Sequence, residues 1–126
     1  MPQPVAQSDD DRARVLTQAL AEAARRLGLK STQLKTIVGT SQPTASRLLN
    51  GKYQLVPDSK SWELGAHLVR LYRSLSAMVG GDDALARDWL NGANDAFDGR
   101  APLLVIQRVD GLVHACDYLD AHRARV

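Results

Sequence analysis

At 126 residues and 13.7 kDa the chain has room for one domain, or for two very small ones sharing a core. Hydrophobic residues at 44% and charged residues at 24% exclude wholesale disorder, and no apolar run approaches the ~20 residues that a membrane-spanning helix needs. The formal charge of +2 conceals an uneven distribution: residues 1–11 carry three Asp and no base, residues 12–60 carry nine Lys/Arg against two acids, and residues 61–126 carry seven Arg against nine acids. Between Glu22 and Asp58 there is no acid at all, while Arg25, Arg26, Lys30, Lys35, Arg47 and Lys52 all fall there. Such asymmetry predicts a polyanion as partner of the first half and something different as partner of the second.

Leu and Ala, with 18 and 17 residues, far outnumber the 10 Val and 2 Ile, and aromatics make up 5%, so helices are favoured over strands. The start, Met1-Pro2-Gln3-Pro4 leading to Asp9-Asp10-Asp11, has neither the basic nor the apolar segment of a signal peptide. One cysteine, Cys116, excludes an internal disulfide and a multi-cysteine zinc site. The expectation is an all-α, cytoplasmic protein with no membrane contact and no cofactor.

Residues 1–10, rich in Pro, Gln and Asp, read as a flexible arm. A first helix is predicted from Asp11 to Leu27, with Leu16, Leu20, Ala23 and Leu27 at helical spacing and Gly28 as its stop. Ser31 is placed to cap a short second helix, Thr32 to Val38, ended by Gly39, and Ser41 to cap a third, Gln42 to Leu49, with Pro43 in its first turn. Lys52 to Asp58 reads as a loop. A longer helix follows from Ser59 to Val79, its face marked by Leu64, Leu68, Leu71, Leu75 and Met78, with Trp62 as a core anchor and part of the face available for dimerisation. Asp82 or Asp83 caps a short helix holding Leu85, Trp89 and Leu90; Ala93 to Ala101 is irregular; Pro102 opens a turn of helix through Ile106. The last helix starts near Val109 and shows Val109, Leu112, Val113, Cys116 and Leu119 on one face. Residues 11–57 thus form one unit and residues 58–126 a second.

The segment from Ser31 to Gly51 has the parts of a helix-turn-helix: a short helix, a tight turn at Gly39, and a second helix able to enter the major groove. Leu34, Ile37, Val38, Ala45 and Leu48 fall on the faces to be buried, which leaves Gln42, Thr44, Ser46 and Arg47 outward, where base edges would lie. Gln suits adenine and Arg suits the O6 and N7 of guanine. Arg25, Arg26, Lys30, Lys35 and Lys52 are candidate phosphate contacts, which set affinity without choosing sequence. One such unit reads few bases, so a homodimer on a two-fold operator is expected, with half-sites about one helical turn apart.

The run Gly39-x-Ser41-Gln42, then Ser46-Arg47-Leu48-x-Asn50-Gly51, resembles the phage-repressor (Xre-type) helix-turn-helix. Two positions depart from that pattern: Lys35 stands where the family usually has Ala, and Thr40 where it usually has Val or Ile, both at the packing seam. Farther on, Trp89-Leu90-Asn91, an irregular link, Ala101-Pro102-Leu103-Leu104 and Val109-Asp110-Gly111-Leu112 resemble the toxin-binding domain of the Xre/MbcA/ParS antitoxins, so that the two resemblances cover about residues 12–126.

What the resemblance implies is a type II antitoxin whose partner is a RES-domain toxin, ADP-ribosyltransferase-like and NAD-consuming or NAD-using. The antitoxin's C-terminal segment, here Asp120 to Val126, would reach the NAD site, making His122, Arg123, Arg125 and Val126 toxin-binding residues. Trp89, like Trp62, reads as a core anchor, with an edge contacted by the toxin as its alternative place. Arg123, Arg125 and the terminal carboxylate of Val126 are chemically suited to a pocket built for a pyrophosphate. A stand-alone repressor whose second half only dimerises is the alternative.

Nothing in the sequence builds a catalyst. His114, Cys116, Asp117, Asp120 and His122 share the last helix, but Cys116 belongs to the apolar stripe and no closed ligand set is arranged. His67, Asp58 and Ser61 form no nucleophile–base–orienter set, and neither GxGxxG nor GxxxxGK[ST] occurs.

Overall fold

A computed structural model describes residues 8–123, and among them there are seven α-helices and one 3-10 turn, with no strand. Helix α1 spans Asp9–Arg26 and starts two residues earlier than predicted, because Ser8 takes the cap: its Oγ accepts from the N–H of Asp11 at 3.1 Å. This draws Asp9, Asp10 and Asp11 into the first turn, where carboxylates face the positive end of the helix dipole. Residues 8–10 therefore belong to the helix start and not to an arm, while residues 1–7 lie outside the described residues.

Helix α2 (Ser31–Val38) has Lys30, not the expected Ser31, at its cap position, and the side chain of Gln33 accepts from the Lys30 N–H at 2.9 Å. Helix α3 (Gln42–Leu49) begins as the sequence predicts, with Ser41 Oγ accepting from the Thr44 N–H at 3.2 Å. The loop that follows is tied down by the Leu55 N–H, which donates to the buried Thr17 Oγ1 on α1 at 3.0 Å. Helix α4 (Lys60–Met78) is capped by Ser59 and α5 (Asp83–Asn91) by Asp82, whose carboxylate accepts from the N–H groups of Ala84 and Leu85.

Within the predicted irregular link lies the 3-10 turn Asp95–Phe97, capped by Asn94, and it buries Phe97 to 3% exposure. Helices α6 (Pro102–Val105) and α7 (Val109–Arg123) complete the chain. Their corner needs a glycine: a Cβ on Gly111 would collide with the carbonyl group of Val105. Val109, expected on the buried stripe of α7, is instead 60% exposed. Periodicity gives the direction in which a side chain points, and at the first residue of a helix it says nothing of how far the facing element extends.

Helix α4 is the common spine. It packs on α1 and α2 and, most extensively, on α7, while α5, α6 and α7 pack in series beside it. The core is consequently one continuous cluster, running from Leu20 and Leu34 through Leu68, Leu71 and Leu75 of α4 to Leu112 and Leu119 of α7. Full burial of each such Leu contributes about 1.5–3 kcal/mol. Trp62, expected as a core anchor, is half-buried and packs against this core from its edge, with the Arg12 guanidinium 5.3 Å above its ring.

Candidate nucleic-acid interface and partner-binding end

The turn between α2 and α3 rests on Gly39, which adopts φ 72° and ψ 40°, a left-handed conformation that a side chain disfavours. Leu34, Ile37 and Val38 of α2 and Ala45 and Leu48 of α3 are all buried, which fixes the angle between the helices. What remains outward on α3 is Gln42 and Arg47, both exposed, with Thr44 and Ser46 half-buried between them. Thr44 Oγ1 accepts from Ser41 Oγ at 3.0 Å and from an Arg47 guanidinium nitrogen at 3.5 Å, so Arg47 lies back along its own helix toward the end at which bases would be read.

The predicted phosphate contacts divide into two groups. Lys30 and Lys52 are exposed, Lys35 is half-buried, and among the described residues none of these, nor Arg47, has a carboxylate within ion-pair distance. Arg25 and Arg26 are engaged within the chain. Arg25 donates to the Leu49 carbonyl at the end of α3 at 3.0 Å, whereas Arg26 pairs with Glu22 at 2.8 Å and Asp83 at 3.1 Å. A cleft of about 610 Å³ opens between α1 and the loop after α3, and brings Arg25 and Lys52 together with Arg14, Gln18, Glu22 and Tyr53. That Arg14, Gln18 and Tyr53 stand beside Arg25 and Lys52 was not legible in the sequence, because they join the cleft only through the packing of α1 on the loop.

Both departures from the helix-turn-helix pattern sit where they were expected to matter. Lys35 is half-buried on α2, and Thr40 is half-buried in the turn with an Oγ1 that has no hydrogen-bond partner among the described residues. A Val or Ile there would carry no such orphaned hydroxyl.

At the other end, Trp89 of α5 and His122 of α7 are brought together through a ring that sequence reasoning missed. Tyr118 stacks on Trp89 with centroids 6.5 Å apart and planes at 19°, and lies 4.3 Å from the His122 ring. Phe97 meets Trp89 and Tyr118 edge-on at 6.1 and 5.4 Å, closing an aromatic cluster. The available signals were the chain's one Phe and the four-residue spacing of Tyr118 and His122. His122 is half-buried, its Nδ1 3.2 Å from the Tyr118 carbonyl, and Arg123 is exposed in the last described turn. Arg125 and Val126 lie outside the described residues.

The remaining polar residues of α7 are structural in arrangement. Cys116 is buried, its thiol donating to the His67 carbonyl at 3.2 Å, and burial pushes its pKa up to about 11. His114 stands edge-on to Phe97 at 5.3 Å. No group of three or more His, Cys, Asp or Glu suited to a metal occurs among the described residues. None of the helices among them is long and apolar enough to cross a membrane.

A helix-turn-helix with a basic face, carried on the same spine as a second helical unit, is the arrangement of a DNA-binding protein with a further binding domain. The comparisons with known families agree. The antitoxin Xre-like helix-turn-helix domain matches residues 6–70, and the antitoxin Xre/MbcA/ParS C-terminal toxin-binding domain matches residues 74–125. The chain belongs to the Xre-like antitoxin family: it is an antitoxin of a toxin–antitoxin pair, with a DNA-binding half and a toxin-binding half. A search of curated proteins finds no match to it.

Proposed function

We propose that the chain is a type II antitoxin that neutralises a RES-domain toxin through its C-terminal segment and represses its own operon as a homodimer. The observation that carries the neutralising step is the fixation of the end of α7. Asp120 accepts from Ser74 Oγ at 2.5 Å and from Arg70 Nε at 2.7 Å, both on α4, so the chain leaves Arg123 from a held position. Beyond it Arg125 supplies a second guanidinium, chemically suited to a pocket that binds the pyrophosphate of NAD. Trp89 and His122, joined by Tyr118, provide the apolar surface around that exit. Repression follows from α3 in the major groove, with Gln42 and Arg47 at base edges, Thr44 and Ser46 supporting them, and Lys30, Lys35 and Lys52 on phosphates, Arg25 and Arg26 adding positive charge at the rim. No catalytic step is assigned to the antitoxin.

The test is expression of the adjacent reading frame in a heterologous host, with and without this chain, following growth and cellular NAD. Growth arrest with NAD loss, both reversed by co-expression, is the expected result. Arrest with NAD intact would replace NAD degradation by modification of a target, and absence of arrest would contradict the antitoxin–RES pairing.

A further inference from the structure

A groove of about 890 Å³ runs between α1, α4 and α7; neither the DNA-reading face nor the aromatic cluster uses it, and it meets the C-terminal exit only at its end by Ser74, Asp120 and Arg123. Its floor is apolar: Val15, Leu16 and Ala19 of α1 face Ala66 and Val69 of α4, and Val15 is 49% exposed. The two ends differ in charge. At one end Arg12 lies over Trp62 and is paired to Asp9 and Asp58, with Asp11, which pairs at 3.5 Å with Arg14, one helical turn before Val15; Asp9 and Asp58 remain 81% and 74% exposed. The other end holds Arg70, Arg73 and Arg123. Arg70 is bound to Asp117 and Asp120, but Arg73 has no carboxylate within ion-pair distance among the described residues. Helices α1 and α4 run in the same general sense, since Arg12 meets Trp62 at one end while Arg26 and Tyr72 share Asp83 at the other.

We propose that this groove is the homodimer interface, filled by the same groove of a second copy with the two α1 helices antiparallel about Val15 and Ala19. An isologous contact places each end of a surface on the opposite end of its copy. Here that sets the acidic first turn of α1, with Asp9 and Asp11, against the basic end with Arg73 and Arg123, twice over. It also covers Val15, and the small Ala19 and Ala66 let the helices approach. A partner of uniform charge would meet a like-charged end, whereas a second copy does not. The proposal rests on the reading of the chain as a dimeric repressor and adds to it the surface that dimerises.

Sedimentation equilibrium on the full chain and three variants tests it, with helical circular dichroism as the check on folding. Val15→Arg is expected to yield a folded monomer. Arg73→Asp should raise the dimer dissociation constant about tenfold, and Asp11→Arg in the same chain should recover most of that loss, because two reversed pairs re-form. A dimer indifferent to both Val15→Arg and Arg73→Asp would overturn this interface and leave dimeric repression standing. Weakening by Arg73→Asp without recovery would overturn the antiparallel arrangement. A wild-type chain that stays monomeric even on its operator would overturn both.

Discussion

Asp120 on α7 and Ser74 on α4 are joined by a hydrogen bond of 2.5 Å, and the other oxygen of the same carboxylate takes the Arg70 guanidinium. One side chain thus ties the end of the last helix to the spine. Ser74 first and Arg70 second hold the Asp120 pKa below the usual carboxylate value. A group depressed on folding stabilises fully above its unfolded pKa of about 3.9, and that stabilisation is lost as pH falls through its folded value.

The end of α7 should therefore loosen selectively under acid. Asp120→Asn is expected to cost about 1 kcal/mol, since the pair is partly exposed, and to flatten the acid limb of the stability profile. Urea denaturation of both proteins between neutral and acid pH measures this; equal pH slopes would contradict it.

Gly111→Ala should be far more costly than an ordinary helical substitution, which would gain about 1 kcal/mol. The added methyl meets the backbone of Val105 and not a yielding side chain, so α6 and α7 must separate, at about 3 kcal/mol or more. Thermal denaturation decides the sign, and a stabilised variant would show that the corner is looser than described.

Much of this fold was legible because local chemistry and global packing agree. Ser41, Pro43, Gly39 and Ser59 mark helix boundaries by hydrogen bonds that reach only three or four residues, and the α4 stripe is a matter of period. What escaped depends on distance in the chain. Phe97 sits in a stretch without periodicity and is buried because α5 and α7 converge on it. The engagement of Arg26 by Asp83, 57 residues away, could not be read from a run of basic residues, nor could the Tyr118 link between Trp89 and His122. Charge asymmetry located the DNA-reading half; it did not distinguish the free cations from the engaged ones.

That distinction predicts different behaviour on DNA. Arg47→Ala should cost about 1–3 kcal/mol and relax specificity at one base position. Lys52→Ala should weaken all sequences alike and reduce the salt slope by about 1, whereas Arg26→Ala should act more through stability than through that slope. Titrations against operator DNA and mismatched DNA at several salt concentrations separate these cases.

Cys116 should be inert to thiol reagents in the folded protein. Its thiol is buried and pushed up to about 11, so thiolate at neutral pH is scarce as well as shielded. Labelling with a thiol-reactive probe is expected to follow global unfolding; rapid labelling of the native chain would mean that the α4–α7 contact opens readily.

On the function proposed above, one chain carries two separable activities, reading DNA through α3 and silencing a toxin through its C-terminal segment. The most direct measurement is the growth of toxin-expressing cells supplied with the chain lacking residues 124–126, with operator binding of the same truncated protein as its control. The truncated chain is predicted to bind operator DNA as the full chain does and to leave the cells arrested. Growth restored by the truncated chain would contradict the account.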